Sequence, residues 1–220
     1  HSQGAGSREV VVKLAAKHED QKAIGILLKE ASGIGLATPP SGSGFQGGRS
    51  KPSPVIRLFS FLIAKNSLPV TIEIDGRKIA FEAASTAVFN ADSITRPQPP
   101  AAPDLSGDTT TVPLVKLVWG RSGDKGDKAN IGLIARKPEY LPLVWASLTE
   151  EVVASRFAHF LEGKTERFLM PAPNAINFLL HDALGGGGVA SLRNDAQGKG
   201  FASLLLDQPV EVPIELARNL

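Results

Sequence analysis

The sequence predicts a mixed α/β (α+β) chain of two units, the second an antiparallel sheet of four or five strands covered on one face by helices. Three observations carry this. Runs of β-branched and aromatic residues alternate with short amphipathic stretches, so that the order from Leu114 onward is β(β)αββαβ. Gly, Pro and Asn/Asp clusters separate those runs at the spacing of tight turns. Pro97, Pro99, Pro100 and Pro103 form an extended, apolar-poor connection, which sets a boundary with residues 1–96 on one side, a linker over 97–110, and residues 111–220 on the other.

Taken in order, residues 8–16 (REVVVKLAA) are rich in β-branched side chains and read as a strand. The acidic His18-Glu-Asp20 suits a helix N-terminus. Ile24, Leu27, Leu28 and Ala31 follow at i, i+3, i+4 and i+7, with Gly33 as a stop. A Gly/Pro/Ser-rich loop runs from Gly33 to Ser53, and 54–63 (PVIRLFSFLI) reads as a strand. Asp75-Gly76 joins the alternating 69–74 to Ile79 and Phe81 and is a strong hairpin signal.

In the second unit, 114–119 (LVKLVW) reads as a buried strand and 131–134 (IGLI) as its neighbour. Pro138 and Pro142 flank a short helical or turn segment. Thr149-Glu-Glu opens a helix as N-cap plus acidic first turn, with Val153, Phe157, Phe160 and Leu161 on one face and Gly163 beyond it. Two strands, 165–170 and 175–181, meet through Pro171-Ala-Pro-Asn174; in the second, Ile176, Phe178 and Leu180 oppose Asn177, Leu179 and His181. A helix over 200–206 and a strand over 209–214 close the chain. This order matches the split-βαβ, ferredoxin-like pattern with one added strand. The expected core is Ile24, Leu27, Leu28, Leu117, Val153, Phe157, Phe178, Leu204 and Val212.

Composition narrows the function classes. The 220 residues are 42% hydrophobic and 21% charged with net charge +2, an ordinary globular balance without the basic footprint of a nucleic-acid binder. With no cysteine, disulfides, thiolate catalysis and Cys-ligated zinc are excluded. No apolar run approaches the roughly 20 residues of a membrane-spanning helix, and the start lacks signal-peptide character, so the chain reads as cytoplasmic. It opens at His1 and reads as part of a longer chain.

Two stretches concentrate chemistry. Residues 121–130 (RSGDKGDKAN) place Arg121, Asp124, Lys125, Asp127, Lys128 and Asn130 between two apolar runs. This is either a ligand loop at strand ends or a charged hairpin connection in which the glycines supply positive φ and the aspartates cap backbone amides. Residues 174–188 (NAINFLLHDALGGGG) carry Asn174, Asn177, the His181-Asp182 pair and Gly185, Gly186, Gly187 and Gly188. There His181 and Asp182 are acid–base candidates and the glycines an anion-friendly backbone, or the glycines are a flexible connection and His181 an edge residue. Asp124, Asp127 and Asp182 are the weak candidates for a hard divalent cation; no cofactor is indicated.

If the strand at Leu114 pairs with that of Ile176 to Leu180, Asp124, Asp127 or Asn130 approaches Asn174 and Asn177. His181, Asp182 and the glycines then lie at the opposite sheet end.

Gly120 to Gly132 (GRSGDKGDKANIG), with 174–188 and Asp195-Ala-Gln-Gly-Lys199, closely resembles the C-terminal ferredoxin-fold domain of the acyclic terpene utilisation protein A family, over residues 111–214. Residues 52–63 and the run from Arg8 resemble the closing segment of that family's larger N-terminal domain. The resemblance implies a place in citronellol- or geraniol-type catabolism and an acyl-CoA or carboxylate ligand. It also implies an absent N-terminal domain as partner. The competing reading is a non-catalytic module that pairs with the same or another subunit, its charged loop a salt-bridged clasp.

Overall fold

The computed structural model describes residues 11–37, 48, 50–81 and 90–220. The N-terminal elements are few. Asp20 accepts a hydrogen bond from the Lys22 amide at 2.8 Å and opens helix α1 (Gln21–Ala37). The helix runs through Gly33 and ends shortly before Pro39, which disfavours helical geometry ahead of it. Ile24, Leu27 and Leu28 are only half-buried, because the stripe they form has no sheet to lie on among the described residues.

Strands β1 (Val70–Ile74) and β2 (Arg77–Phe81) form the expected hairpin. Asp75 and Gly76 both have positive φ, 50° and 75°, which is the backbone twist a two-residue hairpin turn needs. Residues 11–16 and 54–63 are not strands; both are exposed and outside any ladder, and residues 8–10 lie outside the described residues. An apolar run becomes a strand only where an edge pairs its amides, and neither run has one.

The buried core belongs to the C-terminal unit. It begins with β3 (Thr109–Pro113), continues through a single 3-10 turn at Leu114–Lys116, and enters β4 (Val118–Lys125) and β5 (Lys128–Ala135). The expected strand at Leu114 therefore starts four residues later and runs on through the first half of the charged stretch, to Lys125. Leu114 and Leu117 are nevertheless fully buried. Helices α2 (Leu141–Ser147) and α3 (Glu150–Arg156) follow, then β6 (Thr165–Met170), β7 (Ala175–Leu180), α4 (Phe201–Leu206), β8 (Pro209–Pro213) and α5 (Ile214–Ala217). The Thr149 hydroxyl caps α3 by accepting from the Val152 amide at 3.3 Å.

The main sheet is antiparallel with order β4-β5-β7-β6. Strand β4 takes the edge beside β5, and the last strand, β8, instead pairs with β3 in a separate two-stranded sheet. The central pair is thus β5 and β7, not β4 and β7 as expected. The two-residue turn sets β4 against β5, and of the two edges this hairpin leaves free β7 takes that of β5, so β4 is outermost.

Directly opposed residues share a face, so the register sorts the side chains. Val118, Ser122, Ala129, Ile131, Leu133, Ile176, Phe178 and Leu180 point to the helices and are buried. Arg167 reaches into the same layer from β6. Its guanidinium lies 3.7 Å from the Trp145 ring centroid and donates to the Trp145 and Leu148 carbonyls at 2.6 and 2.8 Å, closing the C-terminal end of α2. Its Nε is 3.4 Å from a Glu150 carboxylate oxygen but makes no hydrogen bond. On α4 Phe201, Ala202 and Leu205 are buried, while Leu204, expected in the core, is 45% exposed. Of the stripe Phe201, Leu204 and Leu205 only Leu204 turns outward, and Phe201 stacks on Phe157 at 5.3 Å.

Phe178→Ala should lower the unfolding free energy by about 3–5 kcal/mol and Leu205→Ala by about 2–5 kcal/mol. Leu204→Ala should cost under about 1 kcal/mol. Urea denaturation checks all three.

Candidate functional site

The hairpin β4–β5 and the glycine-rich loop after β7 meet at one end of the sheet. Lys125 pairs with Lys128, so the turn is Gly126-Asp127, and Gly126 has φ 71°. Because β7 runs antiparallel to β5, its C-terminal end arrives beside that turn. Asp127 then binds the loop twice over. Its carboxylate Oδ1 accepts from the amides of Leu184, Gly186 and Gly187 at 3.2, 2.8 and 3.1 Å. Its main-chain carbonyl accepts from Ala183 and Leu184 at 2.9 and 3.3 Å.

Gly185, Gly186 and Gly187 all have positive φ, which turns those amides inward and which side chains other than hydrogen resist. At Gly187 a side-chain carbon would also come within 3.3 Å of the Gly126 carbonyl oxygen. Gly188 has no such constraint.

Arg193 pins the far side of the same loop by donating to the Ala183 and Phe160 carbonyls. Lys199 and Asp195 tie α4 to the hairpin. Asp195 accepts from the amides of Lys199 and Gly200 at 2.9 and 2.7 Å, and the Lys199 ammonium lies 3.5 Å from Asp124. The buried Ser122 hydroxyl donates to the Lys199 carbonyl and accepts from the Ala202 amide, a link no sequence pattern announces.

The remaining candidates divide between the two ends of the sheet and its uncovered face. Asn174 lies at the far end with φ 50°, its carbonyl accepting from the Ala135 amide. It is therefore not near Asp124 or Asp127. The pairing that places Asp127 against the glycines reverses the expected arrangement, in which Asn174 was to be the neighbour. Asn130 and Asn177 do meet: Asn130 Nδ2 donates to Asn177 Oδ1 at 3.1 Å across β5 and β7.

His181 turns away from Asp182. Its Nε2 is 2.6 Å from Glu166 Oε2 on β6, and Glu166 also accepts from Lys164 at 3.0 Å. The hydrogen bonds from Lys164 and then His181 hold the Glu166 carboxyl below its usual range. Asp182 follows in the turn after β7, at φ 48° with an exposed side chain. Glu166 was not singled out from sequence; only its register position opposite Leu179 brings it to His181.

On the uncovered face stand Trp119, Arg121 and Lys125 of β4, Lys128, Asn130, Gly132 and Ile134 of β5, Asn177 and Leu179 of β7, and Glu166, Phe168 and Met170 of β6. Lys125 is occupied by the Asp124 carbonyl. Arg121 and Lys128 have no hydrogen-bond or ion-pair partner among the described residues. Toward the opposite end, Trp119, Ile134 and Met170 are about half exposed. Among the described residues no three His, Asp or Glu side chains cluster as metal ligands, and no helix is long and apolar enough to cross a membrane.

Residues 112–211 match the family model of the AtuA ferredoxin-like domain. The C-terminal unit belongs to that family. The matched span of this AtuA domain starts in β3 and ends in β8, taking in both polar loops and every strand of the main sheet. No curated protein and no solved structure matches the chain.

Asp127→Ala should cost about 2–4 kcal/mol, since it strips a charged acceptor from three amides, while Asp127→Asn, which keeps an acceptor, should cost about 1 kcal/mol. Thermal melts and faster amide exchange at Leu184, Gly186 and Gly187 are the readouts.

A separate expectation concerns acid. Ionised Glu166 has a lowered pKa in the folded chain, so it stabilises the fold above the ordinary value of 4.5 and loses that effect as pH falls through the lowered value. A carbon-detected NMR titration should place its midpoint below that of an ordinary glutamate, and Lys164→Ala should move it upward.

Proposed function

We propose that the chain serves acyclic terpene catabolism by binding a branched acyl-CoA or carboxylate intermediate on the uncovered face of the main sheet. The observation that supports this reading is the division of that face. Arg121 and Lys128 are unpartnered cations beside the Asn130–Asn177 amide pair. Trp119, Ile134, Phe168 and Met170 supply an apolar surface next to them, with the Arg136 guanidinium 4.8 Å over the Trp119 ring and that of Arg96 5.6 Å over Phe168. The acid on this face, Glu166, is engaged by Lys164 and His181. An anionic head with a hydrocarbon tail has complementary chemistry to both halves. His181, oriented by Glu166, is the acid–base candidate of this face, and the reaction is left unassigned.

A second reading is favoured by Asp127. Its carboxylate is taken up by backbone amides, so the charged turn serves as a structural clasp, and the uncovered face is then the docking surface of a non-catalytic module. The two readings differ in what the face holds.

Geranyl-CoA and geranate should quench or shift Trp119 fluorescence on titration, with the Trp119→Phe variant silent. Arg121→Ala and Lys128→Ala should each weaken binding about fivefold, on the order of 1 kcal/mol for an exposed charge pair, and added salt should reduce the difference. No binding by wild type, together with a dimer in light scattering that Ile134→Glu dissociates, would favour the docking module.

A further inference from the structure

Gly132 lies at the centre of the uncovered face, on β5 between β4 and β7. Its backbone does not require glycine: its φ is outside the left-handed region, and a side-chain carbon there would meet only the Arg121 carbonyl oxygen at 3.8 Å and Asn177 Oδ1 at 3.9 Å. These are ordinary contact distances. Gly163 differs, because a carbon there would come within 2.7 Å of the His181 carbonyl and the Asp182 carboxylate. A glycine within a strand weakens it relative to alanine. Where neither turn nor packing demands it, the usual reason is that something approaches the backbone closely.

The neighbours of Gly132 define what approaches. Arg121 stands directly opposite on β4 and Asn177 directly opposite on β7. The hydrogen bond from Asn130 Nδ2 to Asn177 Oδ1 fixes both amides. It leaves Asn177 Nδ2 to donate outward and Asn130 Oδ1 to accept. Two residues along β5, Ile134 joins Trp119 and, across Ala175 of β7, Met170. A guanidinium and an amide donor therefore flank the Gly132 floor on its two sides, and hydrocarbon lies beyond it along β5.

Resting on the binding reading above, we propose that Gly132 is the floor of the ligand seat. The carboxylate or thioester carbonyl lies between Arg121 and Asn177 Nδ2. The first carbons of the chain lie flat on the Gly132 backbone, and the remaining hydrocarbon runs over Ile134 toward Trp119 and Met170. Gly132 thereby sets specificity, admitting a chain that can lie against the strand.

Gly132→Val tests this. Valine suits a strand, and the position has room for its first carbon, so the variant should melt at or above the wild-type temperature. It should bind geranate and geranyl-CoA at least tenfold more weakly, with Gly132→Ala intermediate at about threefold. If Gly132→Val perturbs folding, Gly132→Ala and an amide NMR titration of wild type serve instead: geranate should shift the Gly132 backbone and Asn177 side-chain amide signals first.

Wild type that binds, with Gly132→Val folded and binding equally well, would overturn the seat and leave the binding reading intact. The same holds if the NMR shifts fall elsewhere. Wild type that binds neither probe would overturn both.

Discussion

The contact on which the C-terminal unit turns is the one between the Asp127 carboxylate and three amides of the loop after β7. A carboxylate taken from water needs charge-assisted hydrogen bonds in return, and here backbone amides at fixed spacing provide them. The glycines at positive φ are what make those amides converge. The result joins the tip of one hairpin to the exit of the central strand β7. With Arg193 and Asp195 on either side, it also anchors the segment leading into α4, whose Phe201 and Leu205 complete the core.

That arrangement determines which polar residues are engaged within the fold. Asp127 and the glycines are committed to each other, and Asp124 shares Lys199. Asn174 is at the remote end of the sheet. What is left is a row on the uncovered face: Arg121, Lys128, Asn130 and Asn177, with His181 and Glu166 alongside. The two stretches that stood out for their composition therefore contribute in different ways. Part of each builds the joint, and part of each faces outward from the strands.

Much of this was legible locally. The hairpin at Asp75-Gly76, the Thr149 cap, strands β6 and β7 and the inward set of β7 follow from turn chemistry and alternation. Phe157, Phe178, Leu117, Val153 and Val212 are buried as their periodicity implies. Strand partnership was not legible. The charged residues after Trp119 looked like a loop because polarity at a sheet end resembles a turn, yet they extend β4 on a face that nothing covers. Once β4 was taken to be central, Asn174 replaced the glycines as the neighbour of Asp127. The half-buried stripe of Ile24, Leu27 and Leu28 shows the complementary limit: periodicity identifies a sticky face and does not supply the surface that meets it.

The two-residue turn at Gly126-Asp127 has one more consequence, which concerns parity. Side chains alternate along β4 and β5, so membership of the outer face depends on whether a residue is an odd or even number of steps from that turn. Loss or gain of a single residue between Trp119 and Ile134 would not shift the outer row by a few ångströms. It would exchange Arg121 for Ser122, or Asn130 for Ile131, between water and the helix layer. The Asp127 joint, by fixing the turn against a loop outside the hairpin, holds the count in place. The outer face thus behaves as a single unit under insertion and deletion, kept entire or lost entire, while point substitutions can tune it one residue at a time.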